Sequence, residues 1–258
     1  MDITFTKDSF SKVKLFIATP MYGGMCMSNY LRGMMDLSSA CIAYHIPMTL
    51  HGVVNESLVQ KARNYCVATF LQSDFTHLLF IDADVGFTAN DALSLLHLVN
   101  TDREKKYDVL AGAYPKKEIS WRKVKCAIEK GFADQDPNSL ENYIGNYPFF
   151  APPGKPFFVN KPAEVLKIST GFMLIPRRTF EKLMQASSEN TYNGPNGTKQ
   201  FAFFDTEINS DTRLFSGEDY FFCHTLKKIG GRIWLAPWLN LSHQGKYLFT
   251  ESQTPSLV

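Results

Sequence analysis

Two aspartates, Asp82 and Asp84, end the apolar segment HLLFIDAD at positions 77–84. Because side chains alternate along an extended strand, both carboxylates are expected to point to the same side. Two acids at the end of a buried strand repel each other and lose hydration, unless a cation or hydrogen-bond donors compensate them. A hard divalent cation with oxygen ligands would meet that requirement and could hold a diphosphate.

A second interpretation treats this segment as an ordinary strand-end turn, in which each acid caps a backbone amide. A lone D-x-D sequence leaves both interpretations open. Its context favours a ligand site, because ligands of open α/β sheets bind beyond the carboxyl ends of the strands, where this pair is expected.

Another acidic pair, Glu218 and Asp219, stands at the predicted start of a helix. One interpretation is structural, because acids in the first turn complement the helix dipole and Ser216 has the capping-box spacing to Asp219. The other is catalytic, with one carboxylate protruding to act as general base on a hydroxyl. The two acids can divide these tasks, so the interpretations are compatible.

Further candidate ligands are spread along the chain. His243, in a glycine-containing loop, could complete a site of carboxylate and phosphate oxygens, and Lys246 could pair with a phosphate. Arg63 could reach the ligand edge of the sheet from its helix, and Tyr22 could stack on a base after Thr19-Pro20. Each also has a structural interpretation: a structural histidine, a solvated lysine, a solvent-facing arginine and a plain loop.

The order of the hydrophobic patterns predicts an α/β fold. Predicted strands lie at 12–19, 47–53, 77–84, 107–113, 165–176 and 232–237. Predicted helices lie between them: one over 30–43, one ending at 71, one capped by Thr88 with Asp91 three residues on, one opening at Thr179 and one from 216 to 230. Such alternation indicates a mostly parallel sheet with helices on both faces. Irregular stretches at 115–161 and 187–213 are expected to be functional or mobile.

Composition narrows the class of protein. The chain has 258 residues, is 45% hydrophobic and carries a net charge of +2, without a dense basic run. A single domain that binds no nucleic acid is therefore expected. The five cysteines contain no C-x-x-C, the start does not resemble a signal peptide and no apolar run could span a bilayer, so we expect a cytoplasmic protein.

Taken together, the motifs resemble those of the GT-A glycosyltransferases, which use nucleotide sugars. The matching segments, in the family's order and covering nearly the whole chain, are KLFIATPMYGG, ARN (62–64), LLFIDAD, STGFMLIPRRTFEKL, SGEDYFFCHTLKKIGGRIWLAP and SHQG. The segment AYPKKEISW (113–121) is also similar to one in phage and large-virus members.

The resemblance implies one GT-A domain, with a nucleotide-binding half at 12–115 and an acceptor and catalytic half at 116–258. It implies that Asp84 and His243 ligate Mn²⁺ or Mg²⁺, and that Asp82 contacts the ribose or helps to hold the metal. Asp219, beside Glu218, matches the base of inverting members, and the segment after SHQG slightly favours inversion. The implied donor site comprises Thr19, Pro20, Tyr22, Arg63, Asp82, Ala83, Gly171 and Lys246.

The implied reaction transfers a sugar from a nucleotide-diphosphate sugar, with uridine diphosphate as the expected carrier, to a hydroxyl of a glycan or other acceptor. Three alternatives stay open: a retaining transferase, a nucleotidyltransferase and a non-catalytic nucleotide-sugar-binding module. A nucleotidyltransferase would normally carry a glycine-rich basic phosphate loop, and Gly23-Gly24 has only Arg32 nearby. Tight binding of nucleotide sugars without transfer or hydrolysis would favour the module.

Overall fold

The computed structural model describes residues 3–156, 158–187, 189–194, 197–208, 210 and 213–247. Within these ranges the strands are β1 Leu15–Met21, β2 Met48–Val54, β3 His77–Ile81, β4 Val85–Gly86, β5 Val109–Ala111, β6 Phe149–Phe150, β7 Ala163–Val165, β8 Lys167–Ile168, β9 Phe172–Pro176, β10 Thr191–Asn193, β11 Lys199–Phe201, β12 Glu207–Ile208, β13 Phe215–Ser216, β14 Ile233–Leu235 and β15 Ser242–His243. The α-helices are α1 Ser28–Ala43, α2 Val59–Leu71, α3 Ala89–Thr101, α4 Trp121–Glu129, α5 Arg177–Ala186 and α6 Glu218–Lys228. Short 3₁₀ helices lie at Lys7–Phe10, Tyr22–Gly24 and Pro137–Tyr143.

A central sheet organises the molecule, and in the described residues its seven strands run in the order β2-β1-β3-β9-β5-β14-β7. Strand β1 is parallel to both β2 and β3, and β14 is parallel to β5. Strand β9 is antiparallel to both β3 and β5, and β7 is antiparallel to β14. Five of these seven strands therefore share one direction, and the expected α/β class with a mostly parallel sheet is confirmed.

Alternation along β1 shows why helices cover both faces. Leu15 and Ile17 pack into one core with α1 and α3, whereas Phe16 and Ala18 pack into a second core with α2, α5 and α6. A strand that is apolar on both sides must be covered on both sides, as the continuous apolar run predicts. The site residues lie where these buried strands end.

Several local predictions need correction. Strand β3 stops at Ile81, one residue before the first acid, because the carbonyl of Asp82 accepts from the amide of Val85 (3.0 Å) and closes a turn. The pattern at 165–176 is not one strand, since β8 and β9 are separated by a break that contains Gly171. The stretch 115–161 contains the helix α4.

Helix starts give mixed outcomes. The capping box of Thr88 with Asp91 is confirmed, with the threonine hydroxyl accepting from the Asp91 amide and the carboxylate accepting from the Thr88 amide. The capping box predicted for Ser216 is wrong. Helix α6 is instead capped by Gly217, which supplies no side-chain hydrogen bond. Among the described residues, no helix combines the length and apolarity that a membrane crossing requires.

Candidate active site

A buried arginine binds two of the predicted acids. Arg63, on α2, donates from both terminal nitrogens to the two oxygens of Asp82 (3.0 and 3.1 Å) and from Nε to Glu218 Oε1 (3.3 Å). Its side chain is only 4% exposed and its guanidinium lies 5.2 Å from the ring centre of Phe80. Burial opposes the charge, but the two carboxylates outweigh burial and raise the pKa of Arg63, so the guanidinium stays charged.

Asp84 has different partners. Its Oδ1 lies 3.3 Å from His243 Nε2, and its Oδ2 accepts from Lys117 Nζ. Strand β15 brings the histidine there by pairing antiparallel with β4, which opposes His243 to Val85. Burial would raise the pKa of Asp84, but its contacts with His243 and Lys117 prevail and lower this pKa to about 2. Asp84 is therefore an anion at neutral pH.

The tautomer of His243 bears on whether a cation fits. Nδ1 lies 2.9 Å from the carbonyl oxygen of Pro115, which can only accept, so Nδ1 carries a proton. In a neutral ring with its proton on Nδ1, Nε2 has no proton, and its lone pair faces the Asp84 carboxylate. Two acceptors that face each other need a proton or a cation between them, and the bond from Nδ1 to a carbonyl is the usual support of a metal-binding imidazole.

One carboxylate and one imidazole are suitable ligands for Mn²⁺ and acceptable ones for Mg²⁺. The predicted set of Asp84, His243 and Asp82 is not brought together as one cluster, because Asp82 turns to Arg63. Within the part of the chain that the structure describes, no group of three or more His, Cys, Asp or Glu residues is placed to hold a metal ion. The pair Asp84 and His243 fits such an ion if a ligand supplies the remaining oxygens.

The two acids at the start of α6 divide their tasks. Glu218 is the partner of Arg63, whereas Oδ1 of Asp219 accepts from the amide of Tyr220 (2.8 Å). Burial, and then the charge of Glu218, raise the pKa of Asp219 to about 6. A carboxylate with a pKa near neutrality is a better proton acceptor than an ordinary aspartate, which suits a general base.

Gly171 lies against the acidic strand end. Its carbonyl accepts from the amide of Asp82 (2.9 Å), and its own amide donates to the hydroxyl of Tyr114 (3.2 Å). A Cβ at this position would lie 2.8 Å from Asp82 Oδ2 and would also overlap the Tyr114 hydroxyl. Only glycine fits here. The strand that the sequence pattern predicted as continuous is interrupted at this residue.

A cleft of about 510 Å³ opens beside the acids. Its lining residues are Pro20, Tyr22, Met25, Cys26, Met27, Glu56, Ser57, Val59, Ala62, Asp82, Ala83, Asp84 and Lys246. Tyr22 is 72% exposed and offers a free ring face at the rim. Thr19 is absent from this lining, because it is fully buried and its hydroxyl bonds to that of Tyr30 (2.8 Å).

Two residues of the site were not among the sequence candidates. Lys117 reaches Asp84 from the segment after β5, and Tyr114 lies between Gly171 and His243, with its ring centre 4.9 Å from that of the histidine. Both follow a strand at the edge where ligands of α/β sheets bind. Their place directly after a predicted strand is the sequence feature that could have identified them.

Comparisons with known proteins return structural matches only. No protein-family model matches the sequence, and no curated protein matches it. The crystal structure of A197 from STIV is 17% identical, with 91% of this chain and 87% of that chain aligned and a TM-score of 0.49. A structure of GalNAc-T7 with UDP, GalNAc and Mn²⁺ is 9% identical, with coverages of 90% and 43% and a TM-score of 0.49.

A structure of S. aureus TarS 1-349 in complex with UDP-GlcNAc is 12% identical, with coverages of 92% and 60% and a TM-score of 0.41. The chain thus spans less than two thirds of the GalNAc-T7 and TarS chains.

Proposed function

We propose that the chain is a glycosyltransferase that moves a sugar from a nucleotide-diphosphate sugar to an acceptor hydroxyl, with inversion at the anomeric carbon. The observation that carries the proposal is the group of residues around Asp82-Ala83-Asp84, which line the cleft. Asp84 forms a pair with His243 that can accept a cation, and Arg63 joins Asp82 to Glu218, the residue before Asp219. The ordered motifs of the sequence support the same activity.

The cleft has the size and chemistry for a nucleoside diphosphate. Its volume of about 510 Å³ lies in the range of small-ligand sites. The exposed ring of Tyr22 would stack on the base, and Asp82, although held by Arg63, keeps lone pairs for a ribose hydroxyl. Lys246, at the rim, would pair with the diphosphate as a point charge. Uridine is the base that the sequence resemblance implies.

Asp84 and His243 would hold Mn²⁺ or Mg²⁺, which supplies charge neutralisation of the leaving diphosphate. Gly171 would serve the donor sugar indirectly, because its missing side chain leaves room for the Tyr114 hydroxyl and the Asp82 carboxylate at the site. Asp219 would accept the proton of the acceptor hydroxyl as the oxygen attacks the anomeric carbon from the face opposite the diphosphate. Arg63 keeps Glu218 engaged, so Asp219 is the acid left to perform this step.

Thermal unfolding with nucleotide sugars, with and without Mn²⁺, tests the donor site. A ligand at about 100 times its dissociation constant stabilises by about 2.7 kcal/mol, which is about 5–10 °C for a chain of this size. We expect that shift for one carrier and only with the metal. Asp84→Ala should abolish the metal-dependent part, because it removes the carboxylate of the pair.

The matched control is Asp74→Ala, which removes an exposed aspartate whose partner is Lys14. The control should retain the full shift. An unchanged metal-dependent shift in Asp84→Ala would refute the metal role, and the absence of a shift with every nucleotide sugar would refute the donor site. The product anomer, read by NMR, separates inversion from the retaining alternative.

A further inference from the structure

A second depression lies between α6 and the segment of β8. It has a volume of about 250 Å³ and is lined by Leu166, Lys167, Ser216, Tyr220, His224 and Lys227. Tyr220, His224 and Lys227 recur at helical spacing and so share one face of α6, whereas Lys167 belongs to β8. We call these six residues the α6 groove. Three of them carry nitrogen bases, and none is an acid.

Lys167 is the central cation of the α6 groove. Its Nζ lies 4.3 Å from the ring centre of Phe150 and 4.5 Å from that of Tyr220, and the two rings meet edge to face. Among the described residues, no carboxylate lies within ion-pair distance of Lys167. A ring face attracts an ammonium ion only moderately, so an anion could draw this charge into the groove.

The acids beside the α6 groove already have partners at its rim. Glu164 serves two cations at once, with one oxygen 3.7 Å from Lys227 and the other 3.7 Å from Arg232. His224 Nδ1 contacts Glu207 at 2.6 Å. Glu164 and Glu207 thus contact Lys227 and His224 from outside the groove. The charged groups that line the groove itself are the lysine amines.

We propose that the α6 groove binds an anionic group of the acceptor, a phosphate or a carboxylate on a glycan or polyol. This inference rests on the proposed function, because it assigns the chemical class of the second substrate. The rings of Phe150 and Tyr220 add apolar faces of the kind on which sugar rings pack, and Phe150 is 49% exposed.

Chain connectivity places the α6 groove next to the proposed chemistry. Tyr220, which lines it, directly follows the proposed base Asp219 and donates its amide to that carboxylate (2.8 Å). Lys167 precedes Gly171 by four residues, which span at most about 14 Å when extended. An acceptor anchored by its anion at Lys167 could therefore present a hydroxyl near Asp219 within the length of one or two sugar units.

Titrations followed by backbone amide NMR test the groove directly. The probes are glycerol 3-phosphate and glucuronate, with glycerol and glucose as uncharged counterparts. We expect the charged probes to shift the amides of Lys167, Tyr220 and His224, and the uncharged probes to leave them unchanged. The stronger of the two charged probes identifies the anion, phosphate or carboxylate.

Lys167→Gln should weaken the binding of the charged probe at least about 5-fold, the scale of one lost charge-assisted hydrogen bond. The matched control is Lys125→Gln, which removes a lysine that is 78% exposed and pairs with Glu129 on α4. Equal weakening in both variants, equal shifts by glucose, or shifts scattered over surface lysines would overturn the inference.

The same spectra separate this inference from the proposed function. A nucleotide sugar with Mn²⁺ should shift the amides of Tyr22 and Ala83 in the cleft. Nucleotide binding without any response of the α6 groove to the charged probes would overturn the acceptor inference alone. A response of the groove without nucleotide binding in the cleft would overturn the proposed function, and with it the acceptor role of the groove.

Discussion

Asp219 is an acid whose surroundings disfavour its charge. Burial and the adjacent Glu218 carboxylate raise its pKa from 3.8 to about 6, although the amide of Tyr220 donates to it. Between about pH 4 and pH 6 the folded chain therefore holds a proton that the unfolded chain has already released. Stability falls as the pH rises through this window, because the unfolded state binds fewer protons there.

Asp219→Asn should lower the rate of transfer by roughly 10²–10⁴-fold, because the general base is lost, while donor binding persists. The variant should also be more stable than the parent at pH 7, by about 1–2 kcal/mol, because no charge has to be buried. Transfer by the parent should fall as the pH drops below about 6. Rate profiles from pH 4.5 to 8 and denaturant melts at pH 4 and pH 7 measure both effects.

Glu218→Gln is the matched control for that experiment. Removing its charge lowers the pKa of Asp219, so the inflection in the rate profile should move to lower pH. Rapid transfer by Asp219→Asn would exclude this residue as the base. An inflection that stays in place in Glu218→Gln would mean that another group controls the profile.

Sequence reasoning named the acids, Arg63 and His243 as candidates, but not Lys117 and not which of these groups pair. The types and positions of Asp82, Asp84 and Asp219 were readable because each lies at the end of a strongly patterned strand or the start of a helix. Lys117 could not be identified in this way. It lies 33 positions after Asp84 in the chain, and the local sequence does not encode the strand pairing that brings the two residues together. Asp82 pairs with Arg63 and Asp84 pairs with Lys117, and this difference also depends on the tertiary structure.

Helix α2 holds Arg63 at the site, and Arg177 holds α2. The guanidinium of Arg177 donates to the carbonyls of Phe70, Leu71, Ser73 and Phe75 at 2.7–3.3 Å. These carbonyls lie at the end of α2 and just beyond it, where a helix leaves its last acceptors unpaired. The charge also complements the negative end of the helix dipole and lies 4.6 Å from the ring centre of Phe70.

Arg177→Ala should destabilise the fold by about 2–4 kcal/mol, because several carbonyls lose their donor at once. Arg177→Lys keeps the charge but not the planar fork, and should recover only part of the loss. Urea denaturation of the three proteins measures this order. Equal stability of the alanine variant and the parent would show that solvent replaces the arginine at no cost.

At the level of elements, the sequence predicted most strands and helices of the central layers but missed the edge strand β7 and the breaks. Regular periodicity identified α1, α2 and α3, since the spacing of buried side chains reports the helical period directly. The interruption at Gly171 was invisible because its cause, the Tyr114 hydroxyl, comes from 57 residues away. Helix α4 was hidden in a polar stretch, because it buries little of its surface.

Strands from the later part of the chain complete the central sheet. Strand β9, which follows residue 115 in the chain, lies between β3 and β5, which precede it, and pairs with both. We therefore expect one cooperative unfolding transition, with equal calorimetric and van't Hoff enthalpies. A chain cut at residue 115 would lack the strand that joins β3 to β5 and should not fold alone. Two separate transitions in calorimetry would contradict this view.

The ion pairs of the acidic edge also affect how a donor arrives. Asp82 and Glu218 share Arg63, and Asp84 faces Lys117, so two cations of the chain offset most of the negative charge of these three acids. A nucleotide diphosphate carries several negative charges, and bare carboxylates would repel it during diffusion. With most of this charge offset, that repulsion is reduced before contact, and the speed of encounter should depend only weakly on the salt concentration.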